Sequence, residues 1–74
     1  MMGLRFHADV NYINPQGQMD MAQTFNYASM DEAKSEANGI IRSLTKHGCK
    51  DIKMYIRTVW CVIDNEGDVI KEAL

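Results

Sequence analysis

The chain has 74 residues, 46% of them hydrophobic and 24% charged, with a formal net charge of −2. This is the composition of one soluble globular domain, residues 1–74, with no room for a second core. The mildly acidic balance argues against a general polyanion binder, and no segment approaches the ~18 apolar residues of a membrane span. Two cysteines, Cys49 and Cys61, are too few for a disulfide framework or a zinc site, so reduced thiols in a cytoplasmic setting are expected, with no cofactor or metal. Met1–Arg5 lacks the long apolar run of a secretion signal. Chains this short bury only about 60% of their extended surface, so help from a partner is expected.

Leu4 to Ile13 alternates with the period of a half-buried strand: Leu4, Phe6, Ala8, Val10 and Tyr12 point one way, Arg5, His7, Asp9 and Asn11 the other. Asn14-Pro15-Gln16-Gly17 reads as a turn, and Met19, Met21, Phe25 and Tyr27 resume the alternation, interrupted at Gln23. Pairing Asn14 with Gln18 would set Phe6 opposite Asn26 and mix the faces. Pairing Asn14 with Gly17 sets Tyr12 opposite Met19, Val10 opposite Met21 and Phe6 opposite Phe25, and is the register expected. Pro15 excludes the mirror-image two-residue turns, which calls for a four-residue loop or a nearby bulge.

Ser29 to Gly48 reads as the one long helix. Ser29-Met30-Asp31-Glu32 has the form of a capping box, and Met30, Ala33, Ala37, Ile40, Ile41 and Leu44 gather on one face. Asp31, Glu32 and Glu36 near the start, and Arg42, Lys46 and His47 near the end, complement the helix dipole. Gly48 supplies the left-handed residue that stops it. The rod is roughly 27 Å long, the length of a strand of about eight residues.

Ile52 to Ile63 reads as a long strand. Ile52, Met54, Ile56, Trp60 and Val62 share one face; Lys53, Tyr55 and Arg57, followed by Val59, Cys61 and Ile63, share the other. Asp64-Asn65-Glu66-Gly67 is a hairpin turn, and Asp68–Leu74 is a return strand or a short helix. The layout is α+β: ββαββ, a four-stranded antiparallel sheet with one helix packed on one face. The order 2-1-3-4 makes every neighbour antiparallel, with a right-handed crossover, and 1-2-4-3 is its rival. Phe6, Phe25, Ile41, Leu44, Ile56 and Trp60 are the expected core between helix and sheet.

Catalytic groupings are weak. His47-Gly48-Cys49 falls at a helix C-terminus, whose partial charge disfavours a thiolate. His7, Asp9 and Asp20 lack further ligands at metal spacing, and read as a solvated strand face. An enzyme is not expected. Three features point to binding. Val59, Cys61 and Ile63 form an apolar run on the open sheet face, fitting a protein partner or a homodimer. Arg5, His7, Tyr55 and Arg57, with Lys53, place basic groups around an aromatic on that face, as sheets that bind single-stranded nucleic acid do. On the helix, Ser35, Gly39 and Ser43 form a stripe of small residues where another backbone could approach. The favoured function is a small non-catalytic inhibitor or regulator acting by protein–protein contact through its open sheet face; the alternative is a single-stranded nucleic-acid-binding module.

A hairpin, a helix opened by the Ser-x-x-x-Ala-Lys stretch Ser29–Lys34, and a second hairpin make a layout that resembles some small phage-encoded anti-CRISPR proteins. The resemblance implies a non-catalytic protein that blocks a larger host complex by surface contact, and it carries no functional residue across.

Overall fold

In the computed structural model, which describes residues 1–73, the elements follow in the expected ββαββ order. They are β1 (Met2–Ile13), β2 (Met19–Gln23), α1 (Met30–Lys46), β3 (Lys50–Ile63) and β4 (Val69–Glu72). One antiparallel sheet in the order β2-β1-β3-β4 carries the helix on one face, an α+β architecture. The last segment is a strand, and Leu74 lies outside the described residues.

Both hairpins close with the same three-residue loop. The Asn14 N–H donates to the Gln18 carbonyl (2.8 Å) and the Gly17 N–H to the Asn14 carbonyl (2.9 Å); Asp64, Asp68 and Gly67 repeat these bonds at 3.0 and 3.1 Å. Gly17 and Gly67 take φ of 83° and 87°, the left-handed residue that completes such a loop. The side-chain oxygens of Asn14 and Asp64 each accept two loop N–H groups, which explains the Asn or Asp at the first position.

This loop overturns the expected first-hairpin register. Asn14 bonds to Gln18, not Gly17, so Tyr12 stands opposite Asp20, Asn11 opposite Met21 and Val10 opposite Ala22. The mixing of faces is tolerated because β2 stops at Gln23. Beyond it the chain gains one residue, and Tyr27, not Phe25, bridges to Phe6. Within that irregularity the buried Thr24 Oγ1 accepts the Ala8 N–H (2.9 Å), and the Thr24 N–H donates to the Ala8 carbonyl (3.0 Å).

Ser29 caps α1 as expected, its Oγ accepting the Glu32 N–H at 3.3 Å. At the other end the Cys49 N–H donates to the Leu44 carbonyl (3.0 Å) and the Gly48 N–H to the Thr45 carbonyl (3.1 Å), the two bonds of a Schellman stop around Gly48 at φ 86°. Ala37 packs on Ala8 and Val10, surrounded by Ile40, Ile41, Leu44, Ile52, Met54 and Ile56.

The helix is shorter than the sheet. Its 17 residues span about 25 Å, whereas the 12 residues of β1 span about 40 Å. It starts beside Phe6, where Tyr27 bridges, and its apolar face packs from Ala8 toward Ile52, leaving the Met2–Leu4 end of the sheet bare. The expected core is corrected at two positions. Phe6, Ile41, Leu44 and Ile56 are partly buried, but Trp60 is 57% exposed beyond the helix start and Phe25 is 77% exposed where the chain slips past Gln23. The molecule is elongated, 43 × 22 × 15 Å. Its Cα radius of gyration is 13.9 Å, against about 11 Å for a compact domain of this length.

Candidate binding surface

The cross-strand pairs Arg5–Val59, His7–Arg57, Asp9–Tyr55 and Gly3–Cys61 put the expected contact residues Arg5, His7, Tyr55, Arg57, Val59 and Cys61 on one face, opposite the helix. Ile63 continues that face. Their accessibility differs from expectation. Cys61 is fully buried, Ile63 and His7 nearly so, and Val59 is half-buried. The expected open patch of Val59, Cys61 and Ile63 is therefore a lining.

The physical reason is that the sheet curls over this face. Asn26, after β2, donates from its amide to the Glu72 carboxylate on β4 (3.3 Å), joining segments from opposite edges. The Ile63 side chain lies over Gly3, in the space a Cβ there would need, and the Ile63 N–H donates to the Met1 carbonyl (2.7 Å). The Arg5 guanidinium donates to the Leu4 carbonyl (3.0 Å) and to the Gly67 carbonyl (3.3 Å), holding the β3–β4 hairpin close.

The centre of the face is polar and filled. His7 and Asp9 are each 6% exposed. Arg57 donates its Nε–H to one Asp9 oxygen, and the Gln23 amide donates to the other (2.8 Å). The same amide stands 3.3 Å from His7 Nε2, and His7 Nδ1 lies 3.1 Å from Asn26 Oδ1. His7 Nε2 also stands 3.4 Å from Asp9 Oδ1, which brings both ring nitrogens into the network. Burial pushes the Asp9 carboxyl up, but the bonds from Gln23 and Arg57 and the charges of His7 and Arg57 outweigh it and hold the group below its ordinary value. Among the described residues, every buried side-chain nitrogen and oxygen has a partner. The network staples β1, β2, β3 and the β2–α1 linker.

Other candidates separate in space. Asp20 stands opposite Tyr12 on the helix face, away from His7 and Asp9; burial first, and then the Asp20 charge, push the Tyr12 hydroxyl up. The Cys61 thiol is also pushed up, by burial and then by Glu72, with Arg5 opposing. His47 turns its Nδ1 back to the Ser43 carbonyl (2.7 Å), finishing the helix. Ser35 and Ser43 are exposed, and a Cβ at Gly39 would meet only the Arg42 guanidinium at 3.7 Å. In the basic strip, Arg5 is tied to carbonyls and Arg57 is paired with Asp9, and Lys53, Tyr55 and Arg57 are exposed.

A cluster of neighbouring exposed apolar residues lies on the other side. Leu4 pairs with Trp60 and Met2 with Val62, on the helix face beyond the helix start. Leu4 is 40%, Met2 52% and Trp60 57% exposed. Sequence reasoning missed this surface because their periodicity is that of core residues. The available signal is length: the sequence predicts strands of ten and twelve residues beside a helix able to cover about eight.

Compared with protein-family models, curated proteins and solved structures, the chain matches none. No helix among the described residues is long and apolar enough to cross a membrane.

Proposed function

We propose that this chain is a non-catalytic binding protein, an inhibitor or regulator that acts by protein–protein contact, as the anti-CRISPR-like layout implies. The observation that carries the reading is the exposed Leu4–Trp60 pair with Met2 beside it. Covering an exposed large apolar side chain is worth about 1.5–3 kcal/mol, and tryptophan is among the residues that most often anchor interfaces. Methionine adds an adaptable surface around such an anchor. The contact surface is thus the helix-free end of the sheet and not the opposite face, where His7, Cys61 and Ile63 are buried.

The nucleic-acid alternative has less support. The Arg57 charge is matched by Asp9, and Arg5 serves two backbone carbonyls. Exposed for that reading are Tyr55, Lys53 and the Arg57 side chain, which is 62% exposed although it bonds Asp9.

A photo-crosslinker at position 60, compared with one at position 55, tests the two in nuclease-treated extract of the source cells. Protein crosslinks from position 60 that survive high salt and vanish with Leu4→Lys are expected. Crosslinks to nucleic acid from position 55, falling steeply with salt, would overturn the proposal in favour of the alternative.

A further inference from the structure

We propose that the partner of the Leu4–Trp60 surface is a second copy of this chain, paired antiparallel along Met2–Leu4 of β1, an inference that rests on the protein-contact reading above. The folded chain exposes 5251 Å², whereas the usual scaling for a monomer of 8.4 kDa gives about 4,600 Å². The excess of roughly 600 Å² approaches the ~800 Å² that each partner buries in a standard interface. The excess is a property of the whole elongated chain, to which the helix-free end contributes Met2, Leu4 and Trp60, exposed whenever the chain is folded. The partner present wherever this chain is made is another copy of it.

The backbone supplies the means. Phe6 bonds to Tyr27 through both its N–H and its C=O, and Ala8 bonds likewise to Thr24, on the edge of β1 away from β3. Backbone groups alternate between the two edges of a strand, so those of Leu4 and Met2 point the same way. Among the described residues, no strand pairs with that edge before Phe6. Two copies related by a two-fold axis at Gly3 set Met2 of each against Leu4 of the other, and each outward N–H and C=O of the segment gains a partner. Leu4 C=O already accepts from Arg5 Nη1 and keeps a second lone pair for this bond. At the axis the two Gly3 residues meet as a non-hydrogen-bonded pair, the closer of the two spacings, where a missing side chain allows approach. The same register aligns Met2, Leu4 and Trp60 of both copies in one apolar strip, because cross-strand neighbours share a face.

Sedimentation equilibrium and residue-resolved amide exchange on the full chain test this. The expected mass at high concentration is twice 8.4 kDa. The Leu4 amide should be protected in the dimer and exchange freely on dilution, whereas the Gly3 and Arg5 amides, which face β3, stay protected throughout. Leu4→Lys and Trp60→Lys, both at exposed sites, should weaken the dimer by more than about tenfold with an unchanged far-ultraviolet spectrum. Should a variant lose that spectrum, the wild-type exchange pattern decides. A chain that stays monomeric at every concentration overturns the inference, as does a dimer in which the Leu4 amide exchanges freely. A monomer that still crosslinks from position 60 to another protein sinks only the self-pairing; no dimer and no protein crosslink sinks the contact reading as well.

Discussion

Arg57 donates its Nε–H to Asp9 across the β1–β3 ladder one step off the direct pairing, for Arg57 stands opposite His7 and Asp9 opposite Tyr55. Gln23 of β2 donates to the other carboxylate oxygen, so a single buried anion ties three neighbouring strands together. Its partners lie on strands far apart in sequence, which makes it a feature of the assembled sheet.

The pair makes stability depend on acid pH. The folded state holds Asp9 below its ordinary value, so its contribution is fully present above the unfolded carboxylate value of about 3.9 and is lost as pH falls through the folded one. Urea midpoints measured from neutral to strongly acidic pH should drop in that window, and Asp9→Asn should flatten the drop. Arg57→Gln should cost about 1–3 kcal/mol at neutral pH and less once Asp9 is protonated. An equal loss at both ends would mean the pair contributes no charge-dependent stability.

Thr24→Val removes the hydroxyl that accepts the Ala8 N–H while keeping nearly the same volume. Ala8 is fully buried, so its donor is left without a partner, at a cost of about 1–3 kcal/mol. Thr24→Ser should retain most of the stability in thermal melts. If serine and valine are equivalent, the hydroxyl bond has no role in holding the chain past Gln23.

Gly3→Ala should destabilise by about 1–3 kcal/mol, because the buried Ile63 side chain already fills the space over Gly3. Trimming the neighbour with Ile63→Val should recover part of that loss. Gly17→Ala meets no atom within 4 Å, and its cost of about 1–2 kcal/mol comes from the left-handed backbone alone. A neutral Gly3→Ala in chemical denaturation would mean the curl over Gly3 is looser than this packing requires.

At the helix start, Ser29→Ala should cost about 1 kcal/mol, since the Glu32 N–H loses its acceptor. Ser35→Ala, exposed in mid-helix, should be neutral or slightly stabilising because alanine is the better helix former. Equal losses from the two would place the helix start elsewhere.

Local chemistry in the sequence determined the ββαββ layout and both ends of the helix, but not where β2 ends. Ser29 and Gly48 bound the helix through bonds made within a few residues, and alternation places Leu4–Asn11 of β1 and Lys53–Val62 of β3 on their correct faces, up to the bulge beyond Asn11. The repeated form of Asn14-Pro15-Gln16-Gly17-Gln18 and Asp64-Asn65-Glu66-Gly67-Asp68 could also have revealed the three-residue loops, since each places Asn or Asp first and glycine fourth. Hydrophobic pattern instead favoured the other register, because it assumes that β2 stays in phase along its whole length. What only the tertiary structure decided is which apolar residues are covered. Period assigns Trp60 and Ile63 to opposite faces, but burial depends on how far a helix reaches and on whether a sheet curls. Those are properties of elements distant in sequence: Tyr27 anchors the helix start beside Phe6, which strands Trp60 in the open, while Asn26 reaching Glu72 and the hairpin drawn in by Arg5 close the sheet over Cys61 and Ile63.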